Sequence, residues 1–498
     1  MSIDVNNLPD DPALLKKLLT EQVLKNQFLE EQFRLAQQKQ FGKSAEGLAG
    51  QGELFNEAEE IAETQQEETS AETESISYER TKPKRKPLPP ELPRETIIHD
   101  LADEEKVCAC CQGTLHKIGE DKAEKLEFIP AKVKVIEHVR PKYACRQCEK
   151  SGTSNHIKQA PVPASPIPKG IATASLLSQL ITSKYQYALP LHRQESMFKQ
   201  HGIVLSRQTM SDWMLKSAKL FEPLLKRLKE VMLEQPVMHA DETPVKVVDS
   251  DKTKSYMWLY CTGPDSPQAN CDIRNIVLYD YHDSRAASCP VNYLEGYSGY
   301  LQVDGYQAYD KTEATAVGCW AHARRKFIEA KQAQGKNKSG KADMALSYIQ
   351  KLYGIESKLK GKSVGDIYQA RQKQAKPIVD QLHAWLLKQN VLPKTKLGEA
   401  ITYLNNQWPK LVRYLEDGRL NIDNNRAERA IKPFVIGRKN WLFSQTANGA
   451  NASAALYSII ETAKANALTP FDYVMACLDE LCQPTPDINS LLPWNIKA

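Results

Sequence analysis

Between residues 237 and 319 the sequence follows one restrictive order of elements. Three stretches rich in β-branched and aromatic residues, Val237–Thr243, Tyr256–Thr262 and Asn275–Tyr281, succeed one another across turn-rich connections. Runs of this composition bounded by turn formers read as strands. Arg285–Leu294 follows as a helix interrupted by Pro290, and Tyr300–Asp304 and Ala316–Cys319 supply a fourth and a fifth strand.

Strand, strand, strand, helix, strand is the order of an α/β RNase H-like core. Such a core has a carboxylate on its first strand and another just past its fourth. Asp241 stands within Val237–Thr243, and Asp304 ends Tyr300–Asp304. Neighbouring central strands would set the two side by side, which like charges resist unless a cation holds them. Divalent metals do so, and a pair of them about 3.5–4 Å apart drives in-line displacement at phosphorus. A third carboxylate should come from a helix, and Asn424–Pro433 offers Glu428, with Arg429 and Lys432 as a basic flank. The plainer reading of that helix is a surface element with a Glu428–Lys432 pair at i,i+4. Glu242 adjoins Asp241, but neighbours on a strand point to opposite faces, so only one of them can reach the metals. Asp280 and Asp283 end the third strand as loop acids.

Around this block the chain divides into further regions. Residues 10–41 form one helix with Leu15, Leu19, Gln22, Asn26, Leu29, Phe33 and Ala36 at alternating steps of four and three, a heptad seam with Asn26 at an a-type position. That seam reads as a self-associating coiled coil, or as an amphipathic helix packed on its own domain. Residues 42–102 form an acidic disordered linker followed by a basic, Pro-rich segment that includes Lys82–Pro87. Residues 103–158 are a small cysteine-bearing unit with strand-like stretches at Lys125–Ile129 and Lys132–Val139, and 165–230 are helical. The catalytic block spans 235–450 and carries a helical insertion at 321–416; 451–498 form a C-terminal helical domain.

Charge distribution points to the partner. Lys+Arg 66 against Asp+Glu 61 gives only +5, but residues 44–79 hold eleven glutamates and no Lys or Arg, so the other 462 residues carry +16. A basic body suggests a polyanion, nucleic acid first. No apolar run approaches the ~18 residues of a membrane span, and the polar start lacks a signal pattern, so a cytosolic protein is expected.

Eleven cysteines are an odd and sparse set for a disulfide framework. Cys108-x2-Cys111 and Cys145-x2-Cys148 are instead two knuckles able to hold one tetrahedral Zn²⁺. Further on, Leu191–Gln200, a turn at Gly202 and Ser206–Leu220 read as helix, turn, helix, with Ser206 as N-cap. Arg207, Gln208 and Thr209 fall where a recognition helix reaches base edges. A plain packing hairpin has the same spacing.

Many ordered segments resemble one family. They include Phe41-Gly42-Lys43-Ser44, Tyr143-Ala144-Cys145-Arg146-x-Cys148, Leu189–Gln194, Ser206–Thr209, His239–Pro244, Val303-Asp304-Gly305-Tyr306, Cys319–Arg325, Asp423–Arg429 and Gly437–Phe443. Together they resemble the large transposase of the insertion-sequence-66 family of bacterial mobile elements. The resemblance implies a DDE transposase with Asp241, Asp304 and Glu428 as its acids, two Mg²⁺ or Mn²⁺ for catalysis and one structural Zn²⁺. It implies strand cleavage and transfer without a covalent enzyme–DNA intermediate. Implied partners are DNA, as terminal inverted repeats and target, further copies of the chain, and accessory proteins of the same element. The expected location is the bacterial cytoplasm at the nucleoid. Cys319-x2-His322 belongs to the family pattern after the second acid. Two departures stand out: Cys108-Ala109-Cys110-Cys111 lacks the usual proline, and Val435 occupies the position seven after Glu428 where related enzymes carry Lys or Arg. Lys432 or Arg438 is expected to take that role, and Arg438 and Lys439 to face DNA. A non-catalytic DNA-binding regulator and a metal-dependent nuclease are the competing functions.

Overall fold

The computed structural model describes residues 11–41, 96, 133–143, 158–252, 254–268, 271–333 and 340–496. They belong to two compact units, one of residues 1–69 with 161–498 and one of residues 70–160. In the second unit, Lys142–Tyr143 pairs antiparallel with Lys158–Gln159, and Arg140 Nε donates to the Ala160 carbonyl (2.9 Å). Residues 133–139 form no strand, contrary to the strand expected there. Their alternation lacks a covered face: Val133, Val135, Ile136 and Val139 are all exposed. Lys125–Ile129 and the four knuckle cysteines lie outside the described residues.

The first unit is built on a five-stranded sheet. Its strands are β1 (Val237–Val245), β2 (Ser255–Thr262), β3 (Ile276–His282), β4 (Tyr300–Gln302) and β5 (Thr315–Val317), in the order β3-β2-β1-β4-β5. β1, β2 and β3 are antiparallel; β4 runs parallel to β1, and β5 parallel to β4. The last two strands stop earlier than the sequence suggests. After β5, Gly318 N–H is drawn away to the Lys410 carbonyl (3.0 Å) and Trp320 N–H to that of Ile422 (3.1 Å), so the chain leaves the sheet there; after β4, Val303 N–H still donates to the Val317 carbonyl (3.0 Å), and Asp304 falls in the loop beyond.

Helix α1 (Pro12–Phe41) precedes the sheet; its Glu31 accepts from Lys396 N–H (2.8 Å). Four helices lead in: α2 (Ala174–Tyr185), α3 (Leu191–Gln200), α4 (Arg207–Leu220) and α5 (Glu222–Leu233). Short α6 (Ser288–Tyr293) joins β3 to β4. Pro290 sits in its first turn, where a missing N–H costs nothing, so the proline opens this helix rather than interrupting it. The insertion comprises α7 (Trp320–Ala333), α8 (Lys341–Leu359), α9 (Val364–Ala370), α10 (Lys376–Leu387) and α11 (Lys396–Leu411). It has its own apolar core of Phe327, Ile349, Leu352, Leu382 and Leu404, closed against β5 by Val317 and Trp320.

The chain ends in α12 (Asn425–Trp441), α13 (Ala447–Ala465) and α14 (Pro470–Leu481). α12 continues through Pro433 to Trp441. The proline forfeits one helical hydrogen bond, but burial of Ala430, Ile431, Phe434 and Val435 keeps the helix whole. α13 covers the open edge of β3: Thr462 Oγ1 accepts from Val277 N–H (3.0 Å) and donates to its carbonyl (2.8 Å), while Ser458 Oγ accepts from Tyr279 N–H (2.8 Å). An edge strand whose polar groups are taken by a helix cannot pair with another chain. No helix among the described residues is long and apolar enough to cross a membrane.

Candidate active site

The register of β1 on β4 sets the site. His239 lies opposite Gln302, so two residues further on Asp241 comes level with Asp304. Burial first, then the negative charges of Glu242, Asp304 and Glu428, push the Asp241 carboxyl well above the usual carboxylate range. Asp241 thus feels the charges of the other three acids.

Each acid is held differently. Asp241 Oδ1 accepts from Glu242 N–H (2.8 Å), and Asp304 Oδ1 from Tyr306 N–H (2.8 Å). Glu242, expected to face away from the site, has a side chain only 2 % exposed, and its carboxyl is raised by burial and then by Asp304. Its oxygens are taken up: Tyr309 OH donates to Oε2 (2.6 Å) and Arg285 Nε to Oε1 (2.9 Å). The Arg285 guanidinium in turn stacks 3.8 Å from the Tyr306 ring centroid. Glu428 enters from the first turn of α12; its Oε1 lies 3.8 Å from His322 Nδ1. Donor atoms of Cys319, His322 and Glu428 fall within 4.8 Å of one another. Glu428 Oε1 and both polar atoms of the Asn425 amide are buried without a hydrogen-bond partner among the described residues.

The loop before α12 carries Glu428 to the sheet. Asn424 Oδ1 meets His239 Nδ1 (3.0 Å), its Nδ2 donates to the Ala240 carbonyl (2.8 Å), and its N–H reaches Cys319 Sγ (3.2 Å). Gln302 reciprocates with Asn421, donating to its carbonyl (2.7 Å) and accepting from its N–H (2.8 Å). Burial pushes the His239 pKa down to about 4, so this imidazole is a neutral bridge near pH 7. Burial likewise raises the Cys319 thiol.

The expected DNA-facing residues are spread over two places. At the start of α4, Arg207 pairs with Glu195 (3.1 Å), Gln208 Nε2 donates to Asp212 (3.1 Å), and the Thr209 hydroxyl lies 2.9 Å from that of its N-cap Ser206. On α12, exposed Arg429 binds Asp265 (2.6 Å), Lys432 is half-buried and Lys439 is exposed. Arg438 donates to Thr243 Oγ1 (2.8 Å) and to the Pro244 carbonyl, which ties its guanidinium to the end of β1. Of the rival acids, Asp280 is 2.7 Å from His282 Nε2 and Asp283 3.2 Å from Lys252. The contacts of Arg285, Tyr309 and Asn424 were not readable from the sequence, because each acts across elements far apart in the chain.

Four family matches cover the chain. Residues 169–452 match the Transposase IS66 family, 105–149 the zinc-finger binding domain of transposase IS66, 28–97 the Transposase C of IS166 homeodomain, and 458–494 the IS66 C-terminal element. The chain belongs to the IS66 transposase family. Among its relatives are uncharacterized proteins of Sinorhizobium fredii. y4jD is 35% identical over 428 residues, covering 82% of each chain; y4qI is 35% identical over 492 residues, covering 93% of this chain and 88% of the relative. No solved structure matches the chain.

Proposed function

We propose that this chain is a DDE transposase that binds the terminal repeats of its element and catalyses metal-dependent strand cleavage and strand transfer. The observation that carries the reading is the parallel register that brings Asp241 level with Asp304, with the charges of both Asp304 and Glu428 acting on Asp241 and a buried Glu428 Oε1 that lacks a hydrogen-bond partner among the described residues. A β3-β2-β1-β4-β5 sheet with three antiparallel strands and two parallel ones supports an RNase H-like core.

The donor set fits hard divalent cations. It is all carboxylate oxygen, its charges repel one another, and one buried oxygen lacks a partner. Asp241, Asp304 and Glu428 would hold two Mg²⁺ or Mn²⁺, which when bound supply activation of water or a 3′-hydroxyl and stabilisation of the leaving oxygen. The protein's own part is positioning. Gln302 and Asn424 fix the α12 entry loop against β1, which orients Glu428 toward Asp241. Tyr309 and Arg285 hold Glu242 at the side of the cluster. Arg429, Lys432 and Lys439 offer cations to phosphates, and α4 offers Arg207, Gln208 and Thr209 to base edges. Cys108, Cys111, Cys145 and Cys148 fall within the zinc-finger match and would bind one structural Zn²⁺. Residues 235–450 then form the catalytic domain, with the other regions serving DNA binding and assembly.

Incubation of the full chain with Mg²⁺ and a labelled terminal-repeat duplex tests the reading. Nicked and then joined products are expected. Binding without nicking would indicate a regulator, and nicking without joining a nuclease.

A further inference from the structure

Beyond the acid cluster, α12 ends among apolar residues to which the chemistry above gives no part. Ile436, Leu442 and Phe443 are 54 %, 71 % and 43 % exposed. Leu442 stands at φ +67°, in the left-handed region, where a residue with a Cβ rests only at a cost. Ala188, in the loop between α2 and α3, also has a positive φ, +54°. The two strained turns are joined: Asn440 Nδ2 donates to the Ala188 carbonyl (3.1 Å). Tyr187, next to Ala188, is 69 % exposed. Each turn thus carries a large exposed side chain at or next to a residue with positive φ.

Cations surround this patch. Lys439 and Lys246 are exposed, and Lys184 Nζ lies 5.4 Å from the Trp441 ring centroid. Asp249, on the neighbouring segment, accepts from the Gln445 amide (2.8 Å). The segment is anchored to the extension of β1: Ser444 N–H donates to the Lys246 carbonyl (2.9 Å) and Val248 N–H to the Ser444 carbonyl (3.0 Å).

Two independent routes give its distance from the acids. From Glu428 to Leu442 the helix advances about 21 Å at about 1.5 Å per residue. From Asp241 to Val247, which bridges to Ser444, a strand advances about 20 Å at about 3.3 Å per residue. At about 3.4 Å per base step, that is about six base pairs.

We propose that Tyr187, Leu442 and Phe443 form an apolar clamp that packs on the bases of duplex DNA about six base pairs from the phosphate held at the acid cluster. Apolar wedges of this kind unstack a base step and kink the duplex, and the surrounding lysines match its phosphates. The inference rests on the reading that the chain acts on DNA. Its occupant is duplex DNA rather than a second copy of the chain.

The test uses the full-length protein and a terminal-sequence duplex carrying 2-aminopurine at successive positions. Wild type and Asp304→Asn should both bind and raise the fluorescence about six base pairs from the cut. Leu442→Ala/Phe443→Ala should weaken binding about 10- to 100-fold and abolish that rise. Leu442→Gly should relieve the backbone strain, raising the thermal midpoint by about 1–3 °C, while still weakening DNA binding. A gain in stability with a loss of affinity separates a functional strain from a folding defect. Unchanged affinity and fluorescence in the double variant, with wild-type cleavage intact, would overturn the clamp alone. Loss of self-association with DNA binding preserved would overturn it in favour of a contact between copies. Failure of the wild type to bind or nick DNA would overturn the transposase reading as well.

Discussion

Glu242 shows how one residue's surroundings decide its role. Strand alternation separates it from Asp241, yet its carboxylate is buried and electrostatically coupled to Asp304. What distinguishes it from Glu428 is satisfaction: both Glu242 oxygens have donors, whereas Glu428 Oε1 has none. Glu242→Gln should therefore lower activity by less than about tenfold, against orders of magnitude for the three proposed ligands, whose losses should be non-additive as they act as a unit. It should also cost about 1–3 kcal/mol of stability, because Arg285 loses a charged acceptor; single-turnover rates and denaturant midpoints measure the two effects. Arg371 offers a second case at this scale. It is 2 % exposed and bonded to Glu356 (2.7 and 2.9 Å) and to the carbonyls of Tyr414, Asp417 and Leu420. Arg371→Leu would strand Glu356 and three carbonyls, so unfolding in urea should show a loss of about 3–5 kcal/mol.

Among the elements, the sequence was most readable where a pattern was long. Strands β1, β2 and β3, the hairpin of α3 and α4 with its Ser206 cap, and the long insertion all follow from local periodicity. Shorter features were lost to tertiary competition. β5 ends early because Gly318 and Trp320 give their N–H groups to the insertion and to the α12 entry loop, and 133–139 has strand composition but forms no strand. The proposed site could be read as three acids, because they lie on elements with a recognisable order. The Asn424 bridge, the Arg285 clasp and the gathering of Cys319 and His322 beside Glu428 depend on contacts between residues more than 40 positions apart, which no local pattern encodes. α1 makes its own prediction. Leu15, Leu19, Leu29 and Phe33 are exposed along the heptad seam, and burying each would contribute about 1.5–3 kcal/mol. A peptide spanning 8–42 should therefore sediment as an oligomer, and deletion of α1 should reduce the oligomeric state of the whole chain. A monomeric peptide together with an unchanged full-length oligomer would rule this out.

At the scale of the whole molecule, the proposed work is divided between regions that grip DNA and a sheet that carries the chemistry. If the four knuckle cysteines bind zinc, elemental analysis of the reduced, freshly purified full chain should give about one Zn²⁺ per chain, bound by four sulfurs. Cys145→Ser should abolish it. Removing that zinc should weaken DNA binding while leaving α12 and the sheet folded, since the knuckles fall in the unit of residues 70–160 and α12 and the sheet in the other.

The most direct test of the central claim is the rate of strand cleavage and joining on a pre-nicked and an intact terminal duplex in Mg²⁺, for wild type, Asp241→Asn, Asp304→Asn, Glu428→Gln and Glu242→Gln. Each of the three ligand variants should lose both steps by at least about a hundredfold. Each should hold or gain DNA affinity, because a negative charge near phosphate has been removed, and Glu242→Gln should retain both steps. Cleavage at the wild-type rate in Asp241→Asn or Asp304→Asn, or its abolition in Glu242→Gln alone, would contradict the assignment of these acids.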